Sequence, residues 1–258
     1  MTPQSIDPLL GFVIGGVQKA GTTALARYLG RHPAVCLPRG KEAHIFDAPD
    51  FDDRWTAQEV DARYASRFDD APANALHGDA TPFYLFHPRM IARIARYNPA
   101  MRWIVLLRDP IDRALSHYQM ERARGNESLP LWLALLLEPW RLRGHQEDFA
   151  RSSPLRRYSY RARGDYARQL DVLHARFPPE QVLLLRSDAL MRDPHAALLQ
   201  VCAFIGTTPP PVQEVYERVF VGDYSPWTAH DWRRRLLRHW WRRELVQQER
   251  RGIHWGNA

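Results

Sequence analysis

The sequence predicts an α/β protein in which a P-loop-like parallel β-sheet is flanked by helices, with residues 1–258 forming a single domain. Short apolar runs alternate with segments of helical spacing along the chain, which is typical of a doubly wound sheet. A glycine-bearing loop joins the first apolar run to the first helix. At roughly 150 residues per domain, 258 residues correspond to between one and two domains, and α/β folds of this size often form one. The hydrophobic share of 45% and the aromatic share of 11% exclude a disordered or fibrous chain.

The elements are predicted as follows, in chain order. Short apolar runs predict buried strands at 12–17, 34–37, 75–80, 102–107 and 181–185. Helices are predicted at 24–29, 88–97, 110–124 and 165–177, and the tail 232–251, rich in arginine and tryptophan, is also predicted to be helical. Asp109 caps the third of these helices, and Pro110 occupies its first turn. The most apolar stretch, 129–137, predicts a buried or lid helix bounded by Pro130 and Glu138, with a lipid-facing helix as the alternative.

The charge and the cysteine content limit the class of protein. The formal net charge is +7 and the pI is near 9.7. Cys36 and Cys202 are the two cysteines, which excludes a disulfide scaffold and a multi-cysteine zinc site and fits a reducing compartment. Two of the 36 basic residues are lysines, Lys19 and Lys41. If arginine supplies plain positive charge in this chain, the two lysines mark positions that need a compact ammonium.

The loop between the first strand and the first helix is predicted to bind phosphate, because backbone N–H groups and the helix dipole point at such a loop. The candidate binding residues are Lys19, Ala20, Gly21, Thr22, Thr23 and Ala24. The loop resembles a Walker A motif, but Lys19 precedes Gly21 by two positions instead of following it. The central strand runs into Arg108 rather than into an aspartate that would hold Mg²⁺. The alternatives are phosphate binding without a metal site and an ordinary tight turn.

A second anion site is predicted where the fourth strand ends. Ligands bind at the carboxyl edge of open α/β sheets, and Arg108 and Ser116 are spaced to reach one phosphate there. Arg113 is predicted instead to form a salt bridge with Asp109 or Asp112. Two phosphate sites without a metal carboxylate indicate a nucleotide with separated phosphates.

These motifs together resemble the sulfotransferase superfamily, whose donor is 3′-phosphoadenosine 5′-phosphosulfate. Segment 19–23 is similar to its 5′-phosphosulfate loop, and segment 108–116 to its 3′-phosphate motif. Segments 41–46 (Lys-Glu-Ala-His-Ile-Phe) and 78–84 (Gly-Asp-Ala-Thr-Pro-Phe-Tyr) resemble the heparan-sulfate and related carbohydrate sulfotransferases and their bacterial relatives. Two features depart from that branch. Ala80 stands where it often has a lysine, and Cys202 has no nearby cysteine for a C-terminal disulfide loop.

The resemblance implies the sulfotransferase fold and in-line transfer of a sulfuryl group to a hydroxyl or amine, with 3′,5′-bisphosphoadenosine as product and no metal. It implies that Glu42 is the general base, the alternative being a surface glutamate paired with Lys41. His44 is the other candidate base, or a packing residue. Lys19 would contact the bridging and terminal oxygens of the donor, and residues 21–23 would hold its 5′-phosphate. Lys41 would neutralise the sulfuryl group or tune Glu42.

Two other classes of function are alternatives. The lysine offset and the missing carboxylate disfavour a metal-dependent nucleotide kinase. Acidic residues scattered among the arginines disfavour a basic nucleic-acid-binding protein, so no nucleic-acid partner is expected. A carbohydrate or other small acceptor is expected in a cleft formed by 50–74, 129–159 and the helical tail 229–251. The lack of a signal or spanning segment predicts a cytoplasmic protein without stable membrane insertion.

Overall fold

A parallel sheet of five strands forms the centre of the computed structural model, which describes residues 8–69, 72, 74–209, 216 and 231–255. The strands are β1 Leu10–Gly16, β2 Val35–Cys36, β3 Leu76–Asp79, β4 Arg102–Leu107 and β5 Val182–Arg186. Their order across the sheet is β2-β3-β1-β4-β5, and every neighbouring pair is parallel. The predicted α/β fold with a parallel sheet is confirmed, as are its five strands.

Helices follow the strands along the chain. They are α1 Thr22–Leu29, α2 Ala57–Ala65, α3 Pro88–Tyr97, α4 Pro110–Ala123, α5 Leu131–Leu142, α6 Pro154–Arg157, α7 Tyr166–His174, α8 Ser187–Arg192, α9 Pro194–Ile205, α10 Trp232–Trp240 and α11 Arg242–Glu249. The bounds of α3 are as predicted, and the predicted Asp109 cap accepts two N–H groups of the first turn of α4. Helices α2, α6, α8 and α9 were not predicted, although Thr56 and Glu59 form a capping box before α2.

Parallel pairing brings three strand ends to one edge of the sheet. Strand β1 pairs with β3 on one side and with β4 on the other. Strands β1 and β4 are largely buried, and β3 is buried at its last two residues. Their last residues are Gly16, Asp79 and Leu107. The loops after these residues carry most of the candidate site, since ligands bind beyond the carboxyl ends of such strands.

Helix α5 extends further than predicted and is only half buried. It continues through Glu138 and Pro139, where the sequence predicted its end. The carboxylate of Glu138 is buried and accepts the backbone N–H groups of residues 161 and 162 at 2.6 and 2.8 Å, so this side of the helix faces inward. The opposite side carries the exposed Leu136 and Trp140. Within the described ranges, no helix has the length and apolar character that crossing a bilayer requires.

The predicted salt bridge of Arg113 is wrong. Its fully buried guanidinium donates a hydrogen bond to the carbonyl of Tyr160. Asp109 and Asp112 pair with Arg234 of α10 instead. The reason is local geometry. The side chain of Asp109 caps α4. Asp112 immediately precedes Arg113 on the helix, and adjacent side chains on a helix point in different directions.

Candidate active site

The loop between β1 and α1 has the backbone geometry of an anion site. Lys19 and Gly21 adopt left-handed φ angles of 73° and 95°, which turn the chain before α1 begins at Thr22. Gly21 is the N-cap and has no side chain that could accept a hydrogen bond, so the first N–H groups of α1 lack a side-chain cap. These N–H groups and the positive end of the helix dipole favour an anion at this loop.

Lys19 lies half-buried among other cations. Burial, followed by the charges of Arg108, Arg124 and Arg113, lowers the pKa of Lys19. Arg108 follows β4 directly, and its Nη1 donates a hydrogen bond to the carbonyl of Lys19 at 3.0 Å. This contact joins the loop to the end of the neighbouring strand. The concentration of positive charge is an arrangement that a bound anion stabilises.

The second predicted anion site lies on the unit formed by β4 and α4. Tyr166 of α7 donates a hydrogen bond to the carbonyl of Arg108 at 2.8 Å, which holds the backbone at the strand end. Ser116 lies about two turns into α4 and is buried. The structure brings Arg108 to the first loop, whereas a phosphate shared by Arg108 and Ser116 stays a prediction.

Lys41 joins the first loop to the predicted catalytic residues. Its Nζ donates a hydrogen bond to Thr23 Oγ1 at 2.9 Å and lies 2.6 Å from Glu42 Oε1. The other carboxylate oxygen of Glu42 lies 3.1 Å from His44 Nε2. The alternative pairing of Glu42 with Lys41 is therefore present, but it is made inside the site. Four predicted site residues thus form one connected group.

Asp47 belongs to this group and was missed in the sequence analysis. Its side chain is fully buried, and Oδ2 lies 2.9 Å from His44 Nδ1. Arg156 Nη2 donates a hydrogen bond to the same oxygen at 2.6 Å. Both ring nitrogens of His44 therefore face carboxylates. The spacing of histidine and aspartate three residues apart was the signal available in the sequence.

The two carboxylates set the protonation state of His44. Burial alone would lower the pKa of His44, but its hydrogen bonds to Asp47 and Glu42 raise it to about 9. Burial would raise the pKa of Glu42, yet the hydrogen bond from His44 and the charge of Lys41 hold it below its ordinary value. At neutral pH the group therefore contains an imidazolium that donates both of its N–H groups to ionised carboxylates.

Buried Asp79, at the end of β3, holds the backbone of this segment. Its Oδ1 accepts the N–H of Ala43 at 3.2 Å and the hydroxyl of Thr81 at 2.8 Å. Its Oδ2 accepts the hydroxyls of Tyr64 and Tyr84 at 2.7 and 2.6 Å. Burial raises the pKa of Asp79, although these four donors oppose it. Because Ala43 stands between the glutamate and the histidine, Asp79 fixes the position of both.

A pocket opens beside His44 and Asp47. Phe149 and Arg156, from the chain after α5, line one part of it, and Arg67, from the chain after α2, lines another. Segments 50–74 and 129–159 thus both reach this pocket. In the described part of the tail, α10 and α11 contact α4 and α7 instead. The segments that enclose an acceptor stay a prediction.

Comparison with known proteins defines the family. The family described as "Sulfotransferase family" matches residues 39–211, and the chain belongs to it. A solved sulfotransferase from Alicyclobacillus acidocaldarius aligns over 96% of this chain and 96% of its own, with a TM-score of 0.74 and 30% identity. The sulfotransferase domain from the curacin biosynthetic pathway covers 84% of this chain and 79% of its own, with a TM-score of 0.51 and 16% identity, which supports the fold alone. The predicted superfamily and its fold are confirmed.

The match to curated relatives covers only part of the length of each relative. Human heparan sulfate glucosamine 3-O-sulfotransferase 3B1 is 30% identical over 200 residues, which is 75% of this chain and 45% of the relative. The membrane-associated sulfotransferase kil1 of Dictyostelium discoideum is 32% identical over 127 residues, which is 48% of this chain and 26% of the relative. The chain therefore spans less than half the length of these two relatives.

Proposed function

We propose that the protein transfers a sulfuryl group from 3′-phosphoadenosine 5′-phosphosulfate to a hydroxyl or amine of a carbohydrate or other small acceptor. One observation carries the proposal: Lys41 Nζ contacts both Thr23 of the anion-binding loop and Glu42. A single side chain, that of Lys41, thus connects the candidate base with the loop that would hold the donor. In-line transfer needs this proximity, because the acceptor oxygen, the sulfur and the leaving oxygen lie on one line.

In this proposal Glu42 is the general base. At neutral pH His44 is protonated and has no lone pair to accept a proton, whereas Glu42 is ionised. As the acceptor oxygen attacks sulfur, its proton passes to Glu42. The bond between sulfur and the bridging oxygen breaks, and that oxygen keeps the electron pair as 3′,5′-bisphosphoadenosine leaves. His44 orients Glu42 by donating a hydrogen bond from Nε2 to its carboxylate.

The cations stabilise the charge that develops on the donor. Lys19 contacts the bridging and terminal oxygens, where a compact ammonium fits. Residues 20–24 hold the 5′-phosphate with backbone N–H and threonine hydroxyl groups, and Arg108 and Ser116 hold the 3′-phosphate. Lys41 moves part of its interaction from Glu42 to the sulfuryl oxygens, which frees the carboxylate to take the acceptor proton.

Titration calorimetry with 3′,5′-bisphosphoadenosine, 5′-AMP and ATP with Mg²⁺ tests the donor. We expect the bisphosphate to bind most tightly and without a divalent cation. Arg108→Ala should weaken its binding about tenfold or more, because a charge-assisted phosphate contact contributes about 1.5–3 kcal/mol. Arg176→Ala, which changes an exposed arginine after α7, is the control and should leave the affinity unchanged. Equal affinity for the mono- and bisphosphate, or a strict need for Mg²⁺, contradicts the proposal.

A further inference from the structure

Exposed large hydrophobic side chains are concentrated on two helices. Five of the nine such side chains in the described residues lie on α5 and α10, and we call these five the apolar patch: Leu133, Leu136, Trp140, Trp232 and Leu236. On α5 they are spaced three and four residues apart, which places them on one face of the helix. Trp140 is 73% exposed and Trp232 is 65% exposed, which is unusual for the largest side chain.

The two helices of the apolar patch pack into one hydrophobic cluster. Leu135 of α5 and Leu237 of α10 pack in one cluster with Leu115 of α4. The rings of Trp132 and Trp232 stack with their centroids 6.4 Å apart and their planes 15° apart. The inner faces of both helices are used in this packing. The stacked tryptophans connect the exposed side chains of α5 to those of α10, and the apolar patch is continuous through this stack.

Arginines are frequent in the chain segments next to the apolar patch. Residues 231–251 hold eight arginines and three acidic residues. Arg143, just after α5, and Arg242 and Arg243, at the start of α11, are exposed, and in the described part of the chain no carboxylate forms an ion pair with them. The one acidic residue of α5, Glu138, is buried and bonded to backbone N–H groups. Exposed arginines thus closely follow both helices that carry the exposed tryptophans and leucines.

We infer that this surface binds an anionic lipid bilayer, with α5 and α10 lying in the plane of the interface. Tryptophan and leucine on one face of a helix bury at the boundary between headgroups and acyl chains, while arginines contact anionic headgroups. Helices α5 and α10 have 12 and 9 residues, whereas a spanning helix needs about 20, so the contact is peripheral.

A second copy of the chain fits this surface less well than a bilayer does. A symmetric contact through the apolar patch would bring the arginine-rich helices of both copies together, and like charges facing each other oppose association. An anionic bilayer accepts the apolar side chains and the arginines at the same time. The positive charge therefore favours an anionic bilayer over a second copy of the chain as the partner.

Co-sedimentation of the full chain with vesicles tests the inference. Vesicles of phosphatidylcholine with about 30 mol% phosphatidylserine are compared with vesicles of phosphatidylcholine alone. We expect the protein to sediment with the anionic vesicles and not with the neutral ones. Raising the salt from about 0.1 M to about 0.5 M should weaken the binding, because salt screens the attraction between arginines and headgroups.

Paired variants separate the two parts of the interaction. Leu136→Ser with Trp140→Ser should lower the partition coefficient about tenfold or more, since two large side chains no longer enter the interface. Arg242→Gln with Arg243→Gln should lower it about 25-fold, since each arginine near an anionic surface contributes about fivefold. The matched control is Met191→Ser with Arg192→Gln on α8, where Met191 is as exposed as Trp140. This control should bind like the wild type.

Four results would overturn the inference: no binding to anionic vesicles, equal binding to neutral vesicles, no effect of the patch variants, or the same loss in the α8 control. A concentration-dependent dimer that Leu136→Ser with Trp140→Ser abolishes would assign the surface to a second copy and would also overturn it. Thermal unfolding of every variant is measured in parallel. All of the changed side chains are exposed, so each variant should unfold at the temperature of the wild type.

Discussion

His44 lies between two carboxylates, and folding therefore raises its pKa from 6.5 to about 9. The folded protein binds this proton more tightly than the unfolded chain does, so the contribution to stability is fully present below pH 6.5 and is lost as the pH rises through about 9. We expect the difference in Tm between wild type and His44→Gln to shrink over this range. Thermal unfolding at constant ionic strength measures it, and a difference that does not change with pH contradicts the assignment of an imidazolium.

Glu42→Gln should remove the base while keeping the shape of the side chain. Its NH₂ group faces either Lys41 or His44, which weakens the contacts inside the group. The fold and the affinity for 3′,5′-bisphosphoadenosine should be retained, but the amide cannot accept the acceptor proton. We expect single-turnover transfer, with an acceptor found by screening with labelled donor, to fall by about 10²–10⁴. His44→Ala is the comparison and should retain more activity. If Glu42→Gln stays within a few-fold of wild type while His44→Ala is inactive, His44 is the base.

Lys19→Arg should lower turnover strongly although the charge is kept. The chain uses arginine at almost every basic position, yet keeps a lysine in this loop. A guanidinium is broader and planar, so it cannot present a compact charge to a bridging oxygen beside Arg108. The measurement is kcat with affinity for the bisphosphate as the control. Near-normal kcat would mean that Lys19 acts only as a long-range charge.

At the scale of single elements, the end of β3 determines the shape of the catalytic segment. Asp79→Asn replaces one acceptor oxygen by an NH₂ group that faces donors, and four hydrogen bonds converge on this carboxylate. We expect a loss of about 1–3 kcal/mol in the free energy of unfolding, since a buried donor is left without an acceptor. Urea denaturation measures this loss. The exposed Asp50→Asn is the control, and an equal effect of both changes contradicts the role given to Asp79.

Elements with a strong local signal could be predicted from the sequence. The apolar run of β4 and the loop before α1 are examples, because strand burial and the turn at Gly21 depend on adjacent residues. Contacts between distant residues could not. Arg156 reaches Asp47 across 109 positions, and Arg113 turns away from its neighbours to Tyr160. Such contacts depend on how the helices pack, which local spacing does not encode.

At the scale of the whole molecule, one segment between α5 and α7 contacts both halves of the site. Arg163 donates a hydrogen bond to Gln18 of the anion-binding loop at 2.8 Å, and Arg156 holds Asp47 of the catalytic group. The backbone before Arg163 is fixed in turn by Glu138 of α5. The position of α5 therefore affects the site, although this helix contributes no predicted catalytic residue.

The tail is tied to the site through α4, and two adjacent arginines test this link. Arg234 is buried and pairs with Asp109, which caps α4, and with Asp112, whereas Arg233 pairs with Asp231 at the surface. Arg234→Met leaves two half-buried carboxylates with fewer partners and should cost about 2 kcal/mol or more in the free energy of unfolding. Arg233→Met removes an ion pair in which the arginine is 41% exposed, and it should cost less than about 1 kcal/mol. Urea denaturation compares the two variants.

The same pair of variants tests the effect on nucleotide binding. Because α4 begins next to Arg108, Arg234→Met should also weaken binding of 3′,5′-bisphosphoadenosine. Equal effects of the two changes on stability and on binding contradict the link between the tail and the site.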